Sequence, residues 1–147
     1  MKPEKKPLGL YIHIPFCKQK CTYCDFYSLP GAEARMEDYT EALCAHLAEL
    51  APYAAGYLAD TVYFGGGTPS YLGEKQLVRI LKTILKKYHV TKDAEITLEA
   101  NPDSAGDWKT LKALRKAGFN RISLGMQTAC AEEMQEIGRV HTEDHTA

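Results

Sequence analysis

The stretch DTVYFGGGTPSYLGEKQLVRILKTILKKY, residues 60–88, contains a predicted strand, a glycine-rich turn and a predicted helix in succession. Residues 60–65 carry β-branched and aromatic side chains, which favour a strand. Residues 74–88 place apolar side chains on one helical stripe, formed by Leu77, Ile80, Leu81, Ile84, Leu85 and Tyr88. Together the two segments predict one β-α unit of a parallel sheet.

The same order of elements is predicted three more times along the chain. The other predicted strands lie at 8–14, 94–100 and 120–126, and the other predicted helices lie at 36–50, 107–117 and 130–137. Strands that alternate with helices need crossover connections, and these produce parallel, right-handed β-α-β units. The sequence therefore predicts an α/β fold, either part of a (β/α) barrel or a doubly wound sheet.

Four β-α units are too few to close a barrel, because an ordinary one has about eight strands. A sheet that ended at the fourth strand would also leave a row of unpaired backbone groups, which complete proteins usually cover. We therefore expect residues 1–147 to be a single truncated domain, the N-terminal portion of a longer one.

The composition is that of an ordinary globular protein, with 18 Lys and Arg residues against 19 Asp and Glu residues and a net charge of −1. This balance predicts no bulk attraction to nucleic acid. No apolar segment is long enough to span a bilayer, so no stable membrane insertion is expected. The N-terminal apolar run is short and contains His13 and Pro15, unlike a signal peptide. We expect a cytoplasmic protein with reduced cysteines.

The most unusual residues follow the predicted strands. Three cysteines follow the first strand, three glycines follow the second, Glu99 ends the third and Gln127 follows the fourth. Because the carboxyl ends of parallel strands form one rim, where ligands bind, these residues predict a single site.

The stretch FCKQKCTYCD, residues 16–25, spaces its cysteines as C-x3-C-x2-C. Thiolates bind iron–sulfur clusters or zinc, and three of them on a four-iron cluster leave one iron open to another ligand. The alternatives are a zinc site completed by His13 or Asp25, or three unrelated cysteines. Cys44 and Cys130 are predicted to be buried or spare thiols.

The other rim residues have side chains or backbone suited to a polar ligand. Residues 65–68, GGGT, expose backbone groups to an α-amino or α-carboxylate group, unless they form a plain loop. Glu99 can hold a ribose diol or form a surface salt bridge. Gln127 offers donors and an acceptor, and Arg139 can reach a carboxylate, although either is also compatible with an ordinary exposed side chain.

Five motifs occur in a characteristic order: YIHIPFCKQKCTYCDF, VYFGGGTPS, ITLEANPDS, RISLGMQT and GRVHT. They resemble the radical S-adenosylmethionine (SAM) superfamily and, within it, the oxygen-independent coproporphyrinogen III oxidase-like proteins. The resemblance runs from about Leu10 to Thr142. It implies a partial TIM-like barrel, of which this chain supplies the first four β-α units, whereas longer relatives add further strands and a C-terminal domain.

The resemblance also implies the cofactors. A [4Fe–4S] cluster would be bound by Cys17, Cys21 and Cys24, and SAM would chelate the open iron through its amino and carboxylate groups. The implied SAM pocket is lined by Tyr11, Tyr23, Gly66, Gly67, Thr68, Glu99, Gln127 and Arg139.

Two branches of this family differ two residues after the third cysteine ligand. The oxidase has a further cysteine there, whereas this chain has Phe26, in a CDFYS run that resembles the haem chaperones. The resemblance therefore implies a protein that holds haem and passes it to an acceptor protein. The alternative is the oxidase, an enzyme of porphyrin biosynthesis in which an electron-donor protein reduces the cluster and a SAM-derived radical starts oxidative decarboxylation. A third alternative is an inactive remnant that binds zinc or no cluster.

Overall fold

A computed structural model describes residues 5–105, 107–128 and 130–137. Its main sheet has four parallel strands in the order β1-β4-β5-β6, and a small second sheet pairs β2 with β3. The strands are β1 (Lys6–Ile14), β2 (Phe16–Cys17), β3 (Leu29–Pro30), β4 (Tyr57–Gly66), β5 (Val90–Ala100) and β6 (Arg121–Leu124). The α/β class expected from the sequence is confirmed.

The first three helices pack side by side against the main sheet. The helices are α1 (Met36–Leu50), α2 (Glu74–Lys87), α3 (Trp108–Ala117) and α4 (Ala131–Glu136). Helix α2 contacts both α1 and α3, as expected when successive right-handed crossovers join adjacent strands. One helical layer on one face is the arrangement of (β/α) barrel units, whereas a doubly wound sheet carries helices on both faces.

The hydrophobic core lies between the sheet and the helices. The strands contribute Ile12, Ile14, Val62, Phe64 and Leu98, and α2 contributes Leu77, Ile80, Leu81 and Ile84, all at most 3% exposed. The predicted stripe on α2 is therefore confirmed at its centre. It is wrong at its edge, where Leu85 is 42% exposed because its position on the helix turns away from the sheet.

Local sequence signals set the bounds of α3. The Asp107 side chain accepts a hydrogen bond of 2.8 Å from the Thr110 backbone N–H, as an N-cap residue does. Gly118, with φ of 127°, follows the last helical residue. Strand β6, Arg121–Leu124, is shorter than the predicted strand at 120–126. Asn120, just before it, bonds β5 through its backbone N–H and through its side-chain amide, which contacts the backbone of Ala94 and Ile96.

The sheet face opposite the helices carries polar and aromatic side chains. Tyr11 and Tyr63 stack there with ring centroids 6.2 Å apart, and Glu99 lies beside them on β5. Within the described residues, no helix has both the length and the apolar content that crossing a membrane requires.

Candidate cofactor-binding cleft

A cleft of about 380 Å³ opens at the carboxyl ends of the main strands. One wall is the cysteine loop, residues 18–28, together with Cys17, and the opposite wall is the glycine turn, residues 65–68, together with the end of β5. The cleft is lined by nine of the predicted site residues: Cys17, Cys21, Tyr23, Cys24, Gly66, Gly67, Thr68, Glu99 and Gln127. The strand ends thus bring together residues that are far apart in the sequence.

The cysteine loop is closed at its base by the two short strands. Phe16 pairs with Leu29 and Cys17 pairs with Pro30, both in parallel register. Cys17 is buried in this pairing, whereas Cys21 and Cys24 are partly exposed. The Cys24 N–H donates to the Cys21 carbonyl at 3.1 Å, and this turn holds Cys21 and Cys24 close together.

Two lysines fix the outer part of the cysteine loop. The Lys20 Nζ donates to the Phe26 carbonyl at 2.8 Å and lies 3.4 Å from the Ser28 hydroxyl. The Lys18 Nζ lies 3.9 Å from the Asp103 carboxylate, which follows β5. Lys20 therefore folds the loop onto itself, and Lys18 links it to the rim of the sheet.

The glycine turn packs directly against the start of the cysteine loop. The Gly67 N–H donates to the Ile14 carbonyl and the Thr68 N–H donates to the Phe16 carbonyl, both at 2.8 Å. A Cβ on Gly67 would lie 2.8 Å from the carbonyl oxygens of Pro15 and Phe16. Only glycine fits this approach of two backbones.

The Thr68 hydroxyl connects the two walls. Its oxygen lies 3.6 Å from the Cys17 sulfur, to which it donates, and it accepts a bond of 3.3 Å from the Asn101 amide. Ser104 bonds the Asn101 backbone N–H and lies 2.6 Å from the Ser70 hydroxyl. Asn101 was not among the predicted site residues, although its position directly after a predicted strand is the signal that could have found it.

Glu99 is held by two donors. The Tyr63 hydroxyl donates to Oε1 at 2.5 Å, and the Gly66 N–H donates to Oε2 at 3.3 Å. The bond to Glu99 is the main cause that raises the pKa of Tyr63 above its ordinary value of 10.0, and burial adds to it. Among the described residues, the Glu99 carboxylate is bonded to Tyr63 and Gly66 and forms no surface salt bridge.

The remaining predicted residues occupy different places. Tyr11 lies outside the lining of the cleft, on the open sheet face, where its hydroxyl is 3.1 Å from His13 Nδ1. Gln127 has a φ of 70°, which is unusual for a residue other than glycine and turns the chain at the rim. Arg139 lies outside the described residues.

The chemistry of the donor set fits an iron–sulfur cluster, because three thiolates from one short loop can bind three irons of a cubane. Cys17, Cys21 and Cys24 all line the cleft. Asp103 Oδ1, which is buried at the cleft, has no hydrogen-bond partner among the described residues, and a ligand donor would satisfy it.

The other two cysteines lie away from the cleft lining. Cys44 is partly buried on α1, and Cys130 is exposed at the start of α4. The prediction that they are buried or spare thiols rather than ligands remains a prediction.

Comparison with known proteins identifies the family. The radical SAM superfamily profile matches residues 11–147. The chain is 41% identical over 137 residues to the heme chaperone HemW of Escherichia coli K12, which covers 92% of this chain and 36% of that protein. It is 35% identical over 143 residues to the oxygen-independent coproporphyrinogen III oxidase of the same organism, covering 97% of this chain and 31% of that protein.

A solved structure shows the same fold. The coproporphyrinogen III oxidase HemN from Escherichia coli, described as a radical SAM enzyme, superposes with a TM-score of 0.89 at 33% identity. The match covers 97% of this chain and 33% of that one. The chain thus spans about a third of the length of the relatives it matches, and on the evidence of its cleft, its fold and the matching profile it belongs to the radical SAM superfamily.

Proposed function

We propose that this chain is the radical SAM portion of a haem chaperone, which binds a [4Fe–4S] cluster and SAM and takes part in passing haem to an acceptor protein. The observation that carries the proposal is the cleft itself, in which a three-cysteine loop faces a glycine turn and a fixed carboxylate. Because the chain spans about a third of its relatives, haem transfer is a proposal about the longer protein.

In this proposal Cys17, Cys21 and Cys24 are the cluster ligands. The buried Cys17 is anchored by the β2–β3 pairing and accepts the Thr68 hydroxyl, so its sulfur has a fixed position before any cluster binds. Cys21 and Cys24 lie on the exposed part of the loop, where they remain accessible to an assembling cluster. The Lys20 bonds keep that loop closed over the cleft.

The glycine turn and Glu99 would hold the SAM. Gly66, Gly67 and Thr68 bring backbone groups to the cleft for the methionine end, and Glu99 would accept the ribose hydroxyls. Tyr23 and Gln127 line the same cleft, and the assignment of Tyr11 and Arg139 to the SAM pocket rests on the family resemblance. The reduced cluster and SAM, when bound, supply one-electron chemistry that protein side chains lack.

Phe26 separates the chaperone role from the oxidase role. It is 72% exposed and lines the cleft, at the position where the oxidase would place a further cysteine. The higher identity to HemW than to the oxidase of the same organism, 41% against 35%, also favours the chaperone.

The second candidate is oxidative decarboxylation of coproporphyrinogen III. The TM-score of 0.89 to HemN favours it, because the two proteins would share the same cleft. Both candidates imply a cytoplasmic protein with a small electron-donor partner.

The first experiment tests the cluster. After anaerobic reconstitution, we expect iron and sulfide in the amounts of one [4Fe–4S] cluster per chain and a brown absorption. Cys21→Ala should abolish both, whereas Cys44→Ala, the matched control on α1, should keep them. Wild-type iron content in Cys21→Ala, or stoichiometric zinc in the wild type, would contradict the ligand assignment.

The second experiment separates the two candidate roles. The reconstituted protein is titrated with haem and, separately, incubated with coproporphyrinogen III, SAM and a reductant. Stoichiometric haem binding without decarboxylation supports the chaperone, and decarboxylated product supports the oxidase. The substitution Phe26→Cys introduces the cysteine of the oxidase and tests whether that one position limits decarboxylation of coproporphyrinogen III.

A further inference from the structure

Tyr63 lies in the middle of β4 and belongs to no ligand set described above. Its hydroxyl donates to Glu99 Oε1 at 2.5 Å, a distance typical of a strong bond to a charged acceptor. The two residues are 36 positions apart in the sequence and meet because β4 and β5 are neighbours in the sheet.

The two Glu99 oxygens have different donors. Tyr63 binds Oε1 and the Gly66 N–H binds Oε2, so the carboxylate plane is fixed from both ends. A carboxylate has about four lone-pair sites, and two of these remain available to a ligand after both bonds are made. Glu99 can therefore keep both protein bonds while it accepts two hydroxyl groups.

The Tyr63 ring is itself held in place. It stacks on Tyr11 with an interplanar angle of 21°, and both rings converge on Gly65. A Cβ on Gly65 would lie 2.9 Å from Tyr63 Cε1, 3.0 Å from Tyr11 Cε2 and 3.1 Å from Glu99 Oε2. The first glycine of the turn thus leaves the space in which the two rings and the carboxylate meet.

We propose that Tyr63 is a positioning residue, which fixes the Glu99 carboxylate in the orientation that receives the vicinal diol of the bound nucleoside. This inference rests on the proposed SAM site. Without the Tyr63 bond, the carboxylate would rotate more freely, and ligand binding would have to order it. The Tyr63 hydroxyl is protonated, and hence a donor, through the neutral pH range, as a tyrosine ordinarily is, and its bond to Glu99 raises its pKa further.

A double-mutant cycle tests the inference. The dissociation constant for SAM is measured by equilibrium dialysis on reconstituted wild type, Tyr63→Phe, Glu99→Ala and the double variant. We expect Tyr63→Phe to weaken SAM binding about tenfold, the effect of losing one hydrogen bond to a charged group. In the Glu99→Ala background the same change should have less than about a twofold effect, since the acceptor of the Tyr63 hydroxyl is gone.

Two controls isolate the role of the hydroxyl. Tyr53→Phe removes a hydroxyl from a side chain that is 81% exposed and should leave SAM affinity unchanged. Free methionine, which has no diol, should bind Tyr63→Phe as well as it binds the wild type. If Tyr63→Phe fails to hold its cluster, 3,5-difluorotyrosine at position 63 preserves the ring, and SAM affinity should fall as pH rises through its lowered pKa.

The outcomes separate this inference from the proposed function. A wild-type protein that holds its cluster but binds no SAM overturns the proposed SAM site. If the wild type binds SAM but the effects of the two substitutions are additive, the positioning role of Tyr63 is overturned and the SAM site stands. The same holds if Tyr63→Phe weakens methionine binding as much as it weakens SAM binding.

Discussion

The two walls of the cleft are held in different ways. The glycine wall is bonded to β1 through Gly67, to β2 through Thr68 and to β5 through the Gly66 bond to Glu99, and Pro69 and Ser70 beside it are buried. The cysteine wall is held by the β2–β3 pairing at its base and by lysine side-chain contacts farther out, and its Phe26 and Tyr27 side chains are 72% exposed. The sheet fixes the glycine wall before any ligand binds. The cysteine wall contains the side chains that would bind the cluster.

The largest expected effect comes from filling the rigid wall. Gly67→Ala should destabilise the protein by about 1–3 kcal/mol, because its Cβ meets backbone oxygens that cannot move aside independently. Thermal unfolding followed by circular dichroism should show a midpoint several degrees lower than that of the wild type.

Gly56→Ala is the matched control for that substitution. A Cβ at Gly56 meets no atom within 4 Å, so the midpoint should stay close to that of the wild type. Equal midpoints for the two variants would show that the glycine wall can shift to accommodate a Cβ. The glycine wall would then not be the more rigid of the two walls.

An intermediate effect is expected where the walls touch. Thr68→Val preserves the side-chain shape but removes the hydroxyl that donates to Cys17 and accepts from Asn101. The cost in unfolding free energy should be about 1 kcal/mol. The potential of the reconstituted cluster should fall by tens of millivolts, because a donor to a ligand sulfur favours the reduced state.

Potentiometric titration measures this shift, with Thr83→Val as control. The Thr83 hydroxyl bonds the Arg79 carbonyl within α2, away from the cleft lining, so its removal should leave the potential unchanged. Identical potentials in wild type and Thr68→Val would mean that the Thr68 hydroxyl does not act on the cluster.

The smallest effect is expected at the outer edge of the cleft. The Tyr71 hydroxyl donates to Glu33 at 2.5 Å, which joins the turn after the glycines to the segment before α1. This bond is the main cause that lowers the pKa of Glu33 below its ordinary value of 4.5. The stabilisation is therefore present above about pH 4.5 and is lost as pH falls through the folded-state pKa.

Tyr71→Phe should consequently be slightly less stable than the wild type near pH 7, with the difference shrinking at about pH 3. Urea unfolding at both pH values measures it, and Tyr53→Phe serves as the exposed control. A difference that is the same at both pH values would show that Glu33 ionisation plays no part.

Much of the fold was predictable because its signals are local. Helix α1 has the predicted bounds of 36–50, and α3 begins one residue after the predicted start at 107 and ends at 117 as predicted. The predictions were less accurate where pairing decides the length of a strand, as at β4, which begins at Tyr57 rather than at residue 60. Backbone partners on β1 and β5 extend that strand, and its own sequence carries no sign of them.

The cleft was predictable in part for the same reason. The sequence by itself determined the cysteine spacing, the alternation of strands and helices, and the placement of unusual residues at strand ends, since each depends on neighbours a few positions away. Only the tertiary structure decided that Tyr63 meets Glu99, that Asn101 supports Thr68, and that Gly67 lies against residues 15–17. Those contacts follow from strand order and register, which are set by packing across the whole sheet.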